Sequence, residues 1–138
     1  MSKLEDLLAR KGALLADGAT GTNLFEMGLV SGDAPELWNT EEPDRIKALH
    51  KSFVDAGSDI ILTNTFGCNR HRLKLHNAQD RVRELNAAAV ALAREVVGKA
   101  DREILIAGSI GPTGELFQPL GALAYEDGVA AFREQMEA

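Results

Sequence analysis

The sequence of 138 residues predicts an α/β fold with parallel strands, and three observations lead to this prediction. Three short apolar runs recur about 45 residues apart, and helical patterns separate them. Each run is continuously hydrophobic, which is typical of strands buried on both faces of a parallel sheet. Hydrophobic residues make up 45% of the chain and charged residues 26%, as in globular proteins that bury a core.

The predicted strands cover residues 13–16, 59–63 and 104–107. Each is followed by a polar or glycine-rich loop and then by a helix, which predicts βαβ units with right-handed crossovers. Because the carboxyl ends of parallel strands meet at one edge of the sheet, we expect the three loops to lie together there.

The first long helix is predicted to begin after Thr40, a suitable N-cap, and to end at Gly57. Its apolar residues recur at helical spacing: Ile46, Leu49 and Phe53. His50 has polar neighbours in this helix and is expected at the surface. Trp38, just before the helix, is expected to pack in a loop.

Three further helices are predicted. A short amphipathic helix at residues 4–8 precedes the first strand. A second long helix ends before Gly98, and its apolar residues step by three and four: Val82, Leu85, Ala89, Leu92 and Val96. The last helix begins near Tyr125 and carries Val129, Phe132 and Met136.

Charge and composition exclude several classes of protein. The net charge of -6 provides no basic field for nucleic acid. No apolar run approaches the roughly 20 residues that span a bilayer, and the first residues lack the apolar core of a signal peptide. The single cysteine cannot form an internal disulfide or, alone, a structural zinc site. These features predict a soluble, cytoplasmic protein.

The loop after the first strand, residues 17–23, combines an acidic side chain with small residues. Asp17 could pair with an ammonium group, and successive backbone N–H groups beside Gly18 and Gly21 could bind an anion. Together these groups would suit the two charged ends of an α-amino acid. The alternative is that the glycines only form a tight turn between strand and helix.

The other two loops also carry candidate residues. Thr63, Asn64 and Thr65 could hydrogen-bond a ligand, or they could cap the next helix. The segment 109–114 is rich in glycine, and it could contribute to a site or serve only as a turn.

A basic segment at residues 68–76 permits two interpretations. Cys68, His71 and His76 could be metal ligands, although a lone thiol and two histidines are weak evidence. A solvated basic helix face, with Leu73 pointing inward and Leu75 outward, is the preferred interpretation.

Three ordered stretches resemble the homocysteine S-methyltransferase family. They are Asp17-Gly18-Ala19-Thr20-Gly21-Thr22, the stretch from Ala56 to Gly67, and Ala107-Gly108-Ser109-Ile110-Gly111-Pro112-Thr113-Gly114. The segment 33–39 resembles the bacterial betaine-dependent branch of this family. The resemblance implies a (β/α)8 TIM barrel that holds homocysteine at the carboxyl ends of its strands.

The resemblance also implies roles for individual residues. Asp17 would pair with the homocysteine ammonium, and the backbone turn after it would receive the carboxylate. The loop that follows the second strand would line the same mouth, near the methyl donor. The implied substrate-binding residues are Asp17, Gly18, Ala19, Thr20, Thr63, Asn64 and Thr65.

The implied reaction is a zinc-dependent methyl transfer to the homocysteine thiol, giving methionine, with betaine as the favoured donor. In the family, three cysteine thiolates hold the zinc ion, which lowers the thiol pKa of bound homocysteine. This sequence contains one cysteine, Cys68, and it does not match a ligand position. No metal ligand is therefore predicted in this chain, although the parent family uses zinc.

Three strands cannot close a barrel of eight. Residues 1–138 are therefore expected to form the amino-terminal three βα units of a homocysteine-binding barrel, inactive alone and prone to self-association through exposed strand edges. Two alternatives remain open: a non-catalytic α/β module that binds a small anionic metabolite, and a structural piece that completes a barrel with another polypeptide.

Overall fold

The computed structural model describes residues 2–138 and confirms the α/β class. Two strands, β1 (Ile60–Leu62) and β2 (Leu105–Ala107), pair in parallel, with Ile61 opposite Ile106. The helices in the described residues are α1 (Lys3–Lys11), α2 (Gly21–Glu26), α3 (Trp38–Glu41), α4 (Pro43–Asp55), α5 (Arg70–Leu73), α6 (Val82–Val97) and α7 (Tyr125–Met136). Short 3₁₀ turns occupy residues 35–37, 74–76 and 79–81.

The first predicted strand is reduced to a single bridge, in which Ala16 pairs in parallel with Ile60. The backbone N–H of Asp17 donates to the Ile60 carbonyl at 2.9 Å, and the Ile60 N–H donates to the Leu15 carbonyl at 3.1 Å. β1 therefore lies between this segment and β2. The three loops that follow these segments all leave from the same edge, as the parallel arrangement requires.

Helices α4 and α6 cover one face of the sheet. Ile61 packs there with Ala93 and Ile104 in a buried cluster, and Phe53 and Val97 lie against it. Side chains alternate along a strand, so Leu62 points to the opposite face, where 36% of its surface is exposed. The helices thus cover one face of β1 and leave the other open.

The start of α4 differs from the prediction. Glu42, rather than Thr40, is its N-cap, because Pro43 occupies the first helical position, where its fixed φ and missing N–H cost nothing. Thr40 lies in α3 and donates its hydroxyl to the Leu37 carbonyl at 3.2 Å. Trp38 is the first residue of α3 rather than part of a loop, and the Arg45 guanidinium lies 4.9 Å from its ring centre.

The predicted end of α4 is confirmed at Gly57, which has a φ of 104°. Its N–H donates to the Val54 carbonyl at 3.1 Å, and the Ser58 N–H donates to the Phe53 carbonyl at 3.0 Å. These two bonds form a Schellman motif, which satisfies carbonyl groups that the last turn would otherwise leave free.

The prediction that His50 lies at the surface is wrong. Only 2% of its surface is exposed, and neither ring nitrogen has a hydrogen-bond partner within residues 2–138. Ile46 and Leu49 are buried on the same helix, and a residue at position 50 shares their face because it is four residues from Ile46. Burial lowers the pKa of His50 to about 4.

The buried face of α6 contains Val82, Leu85 and Ala89, as predicted. Helix α7 forms where predicted, but it does not bury the predicted apolar residues. The buried residues of α7 are Gly128, Ala131 and Gln135, while Val129 and Met136 are exposed. The apolar stripe of this helix therefore points away from the described core. Within residues 2–138, no helix has the length and apolar character needed to cross a membrane.

Candidate functional site

Asp17 lies at the carboxyl edge of the sheet, directly after the bridge at Ala16. Its Oδ2 accepts a hydrogen bond from the Leu62 N–H at 2.9 Å, which fixes the carboxyl group beside the end of β1. Burial raises the pKa of Asp17, and hydrogen bonds from the backbone of Leu62 and of Asp17 itself oppose this effect. A cation placed beside Asp17 would offset the cost of burying its charge.

The turn after Asp17 presents unused backbone donors. Within residues 2–138, the N–H groups of Gly18, Ala19 and Thr20 donate to no protein acceptor. Gly18 also packs closely, because a Cβ there would lie 3.2 Å from the Phe53 ring. Neighbouring N–H groups without protein partners form a suitable environment for an anion such as a carboxylate.

The polar residues after β1 join two of the three loops. Thr65 donates its hydroxyl to the Ser109 carbonyl at 2.7 Å, and the Ser109 N–H donates to the Thr63 hydroxyl at 3.1 Å. The two threonine hydroxyls also lie 2.7 Å apart. These bonds hold the ends of β1 and β2 together. Neither threonine caps α5, since Asn69 is its N-cap.

Asn64 joins the same edge to the segment before α3. Its Nδ2 donates to the Pro35 carbonyl at 2.9 Å and to Asn39 Oδ1 at 3.0 Å. Asn39 donates in return to the Asn64 carbonyl at 2.9 Å. Asn64 is therefore held in place by buried protein contacts.

A cavity of about 140 Å³ opens among these groups. Six of the seven predicted substrate-binding residues line it; the exception is Ala19, whose contribution would come through its backbone. The residues that line the cavity are Asp17, Gly18, Thr20, Leu62, Thr63, Asn64, Thr65, Phe66 and Ser109. The structure thus brings one carboxylate, a turn with unused N–H donors and two hydroxyl groups to a common space.

Glu36 is a feature of this edge that the sequence interpretation missed. It is buried, and its Oε1 accepts a hydrogen bond from the Gly67 N–H at 2.7 Å. A Cβ at position 67 would lie 2.9 Å from Glu36 Oε1, so a larger residue there would force the Glu36 side chain to shift. The only local signal was an acidic residue between Pro35 and Leu37, which says nothing about a partner 31 residues away.

The glycine-rich loop after β2 is shaped by packing at Gly111. Its N–H donates to the Phe66 carbonyl at 2.9 Å, and an added Cβ would lie 2.5 Å from that oxygen. The glycine therefore allows this loop to contact Phe66, which also lines the cavity. Ser109 is the residue of this loop that reaches the cavity.

The basic segment follows the preferred interpretation. Leu73 is buried, and 69% of the Leu75 surface is exposed. Arg70 forms two hydrogen bonds of 2.7 Å with Glu134, which joins α5 to α7.

The metal interpretation of Cys68, His71 and His76 does not fit the structure. In the part of the chain described, no three His, Cys, Asp or Glu side chains converge on a metal position. Cys68 is buried, and burial together with the nearby Glu36 charge raises the pKa of its thiol to about 12. A thiolate ligand would need the opposite shift. The residues of this chain therefore do not fit the zinc site that the resemblance implies.

A model of the homocysteine S-methyltransferase family matches residues 14–138. Methionine synthase from Mycobacterium tuberculosis is 35% identical over 131 residues, which cover 88% of this chain and 11% of that protein. S-methylmethionine–homocysteine S-methyltransferase BHMT2 from Pongo abelii is 36% identical over 101 residues, which cover 70% of this chain and 25% of that protein. The chain thus spans a quarter or less of these two relatives.

The fold also matches a solved structure. The metallated form of the homocysteine methyltransferase MmuM from Escherichia coli superposes with a TM-score of 0.78 at 25% sequence identity. The match covers 97% of this chain and 52% of that protein. The similarity therefore includes nearly every element described above.

Proposed function

Since this chain belongs to the homocysteine S-methyltransferase family, we propose that it binds homocysteine in the cavity beside Asp17, as the amino-terminal part of a zinc-dependent (β/α)8 barrel enzyme. The observation that carries this proposal is the position of the Asp17 carboxyl group next to three N–H groups without protein acceptors. An α-amino acid carries an ammonium and a carboxylate on adjacent atoms. Here the Asp17 carboxylate could pair with the ammonium, and the three N–H groups could donate hydrogen bonds to the carboxylate.

The roles follow from this geometry. Asp17 pairs with the ammonium, and the N–H groups of Gly18, Ala19 and Thr20 donate to the carboxylate. The wall of the cavity is formed by Thr63, Asn64 and Thr65. Their side chains are hydrogen-bonded to neighbouring segments, so they position the wall rather than bind the ligand directly. The thiol end of homocysteine then extends away from the charged groups.

The proposed reaction is methyl transfer to that thiol. The thiol loses its proton to solvent, a sulfur electron pair forms the bond to the methyl carbon, and the bond between that carbon and the donor atom breaks with its pair returning to the donor. Betaine is the favoured donor, and the products are then methionine and dimethylglycine. A zinc ion would lower the thiol pKa, and its three cysteine ligands are not in this sequence; we therefore propose that residues 1–138 bind homocysteine without completing the transfer.

Isothermal titration of the purified chain with homocysteine under reducing conditions tests the site. We expect Asp17→Ala to weaken homocysteine binding at least about tenfold, the equivalent of ~1.4 kcal/mol. Asp17→Asn, which retains an acceptor for the Leu62 N–H, should give the same loss without disturbing β1. Asp44→Ala, an exposed carboxylate on α4, is the matched control and should bind as the unmodified chain does.

Equal affinity in the Asp17 variants would remove the proposed role of Asp17. Titration with butanoate, which has a carboxylate but no ammonium group, tests the alternative of a module for small anions. Such a module would bind its ligand through the unused N–H groups alone. If butanoate binds as tightly as homocysteine, the ammonium contributes nothing, and the module is the better description.

A further inference from the structure

The backbone of residues 64–68, in the loop after β1, is held by side-chain amides from three different helices. Each of these amides is buried, with 5% or less of the residue surface exposed. The three bonds run from Asn39 in α3 to the Asn64 carbonyl at 2.9 Å, from Asn86 in α6 to the Cys68 carbonyl at 2.9 Å, and from Gln135 in α7 to the Thr65 carbonyl at 2.7 Å. Three helices thus fix the position of one loop.

Gln135 is the amide whose hydrogen bond serves this loop alone. Asn39 and Asn86 each donate a second bond to a backbone carbonyl of α6, so their replacement would also disturb that helix. Among residues 2–138, Gln135 donates only to Thr65, which lines the cavity beside Asp17. None of the described residues of α7 lines that cavity itself. The Gln135 side chain therefore links α7 to the wall of the proposed homocysteine site.

The oxygen of the Gln135 amide is costly to the fold. Its Oε1 is buried and accepts no hydrogen bond from any described residue. A buried acceptor without a partner lowers stability, because it has lost its hydrogen bonds to water without replacing them.

The Thr65 carbonyl does not depend on Gln135 for a partner, because the Cys68 N–H also donates to it at 3.0 Å. An apolar side chain of the same length at position 135 would remove the unpartnered oxygen and leave no backbone group free. The stability of the fold therefore does not account for a glutamine at this position.

We infer that Gln135 is a positioning residue for the homocysteine site: its amide fixes the Thr65 carbonyl and thereby the wall that Thr63 and Thr65 form. The inference rests on the proposed function, in which the homocysteine side chain lies along this wall. Without the Gln135 bond, the loop would occupy the binding position for only part of the time, and the apparent affinity would fall by that fraction. The loss of one hydrogen bond of ordinary net strength corresponds to a change of about fivefold.

Isothermal titration of the full chain with homocysteine under reducing conditions tests the inference. We expect Gln135→Met to weaken homocysteine binding about fivefold, since methionine is an unbranched side chain of similar length that donates no hydrogen bond. Unchanged homocysteine affinity in Gln135→Met would overturn the inference.

Gln79→Met is the matched control. Gln79 also has a buried Oε1 without a partner among the described residues, but it donates to no carbonyl of the loop after β1. This variant should bind homocysteine as the unmodified chain does. An equal loss of affinity in both variants would attribute the effect to buried glutamines in general, which would contradict the inference.

Gln135→Glu separates the hydrogen bond from packing. A protonated carboxyl group can donate to the Thr65 carbonyl as the amide does, whereas an ionised carboxylate cannot. Because burial raises the pKa of a carboxyl group, we expect the new side chain to be protonated at about pH 5.5 and ionised at about pH 8. Its homocysteine affinity should be within about twofold of the unmodified chain at the lower pH and at least about fivefold weaker at the higher pH.

The variant and the unmodified chain are compared at each pH, because Asp17 and His50 are present in both proteins. A deficit of Gln135→Glu that is the same at both pH values would assign Gln135 to packing alone. Urea denaturation provides a second check, in which Gln135→Met should be no less stable than the unmodified chain. Weaker binding that comes only with a loss of stability, and without recovery in Gln135→Glu, would indicate a structural role and overturn the inference.

The same titrations separate this inference from the proposed function. If the unmodified chain does not bind homocysteine, the proposed function fails and the inference fails with it. If the unmodified chain binds homocysteine and Asp17→Ala weakens this binding while Gln135→Met does not, the proposed function stands and the inference alone fails.

Discussion

Asp17 shows how the burial of a single proposed binding residue carries a cost to stability. Burial raises its pKa, so the folded state disfavours the charged carboxylate that an ammonium ligand requires. The same group is held in position by the Leu62 N–H. Its orientation is therefore fixed without a ligand, and the ammonium group that we propose as its partner would supply the missing positive charge.

The buried His50 predicts a loss of stability in mild acid. Its folded-state pKa of about 4 lies below the ordinary value of 6.5, so between these values the unfolded chain binds a proton that the folded chain does not. The free energy of unfolding should therefore fall as the pH decreases from 6.5 to 4, by on the order of 3 kcal/mol from this residue.

Urea denaturation of the unmodified chain and of His50→Phe, from pH 7 to pH 4, measures this effect. Carboxylates also titrate at the lower end of the range, so the quantity of interest is the difference between the two proteins. We expect this difference to shift in favour of His50→Phe as the pH falls. Parallel curves would show that His50 does not titrate differently on folding.

At the scale of the element, the end of α4 depends on a backbone conformation that only glycine adopts easily. Gly57 has a φ of 104°, and no atom lies within 4 Å of the position of an added Cβ. Gly57→Ala should therefore destabilise the protein by about 1–2 kcal/mol through backbone strain alone. Gly21→Ala is the matched control, since that site is equally open but has no positive φ, and alanine favours a helix there.

Chemical denaturation of both glycine variants checks this prediction. A loss of stability confined to Gly57→Ala would support the Schellman motif as the feature that ends α4. Equal effects at both positions would instead point to a general cost of adding a methyl group.

The helices and strands also differ in how well local sequence patterns predict their boundaries. Helix α6 and the end of α4 could be predicted, because both depend on spacing and on a glycine within a few residues. The start of α4 was wrongly predicted at Thr40, because the preference of threonine for the N-cap was given more weight than the preference of Pro43 for the first helical position. The first strand could be located but its length could not, because sheet pairing depends on distant residues.

At the scale of the whole molecule, apolar surface remains uncovered. On α7, Tyr125 is 72% exposed and Met136 is 65% exposed, and Val129 lies on the same side. The sheet face that carries Leu62 is also open. Exposed apolar patches of this kind favour association.

We expect the isolated chain to self-associate in a concentration-dependent manner, as measured by sedimentation velocity. The double substitution Val129→Lys and Met136→Lys should increase the monomer fraction, because charges on this face oppose its burial. Leu75→Lys, at an exposed apolar residue on the basic segment, is the control and should change little. Association that persists in the double variant would contradict a role for α7 and point to the strand edges.

The sequence by itself determined the α/β class, the order of the three parallel segments and the loops that form the candidate site. These features follow from hydrophobic runs and glycine positions, which act over a few residues. Only the tertiary structure decided that His50 is buried, that α7 turns its apolar stripe outward, and that Glu36 meets Gly67. The physical reason is that burial and charge pairing depend on residues far apart in the chain, which no local pattern brings together.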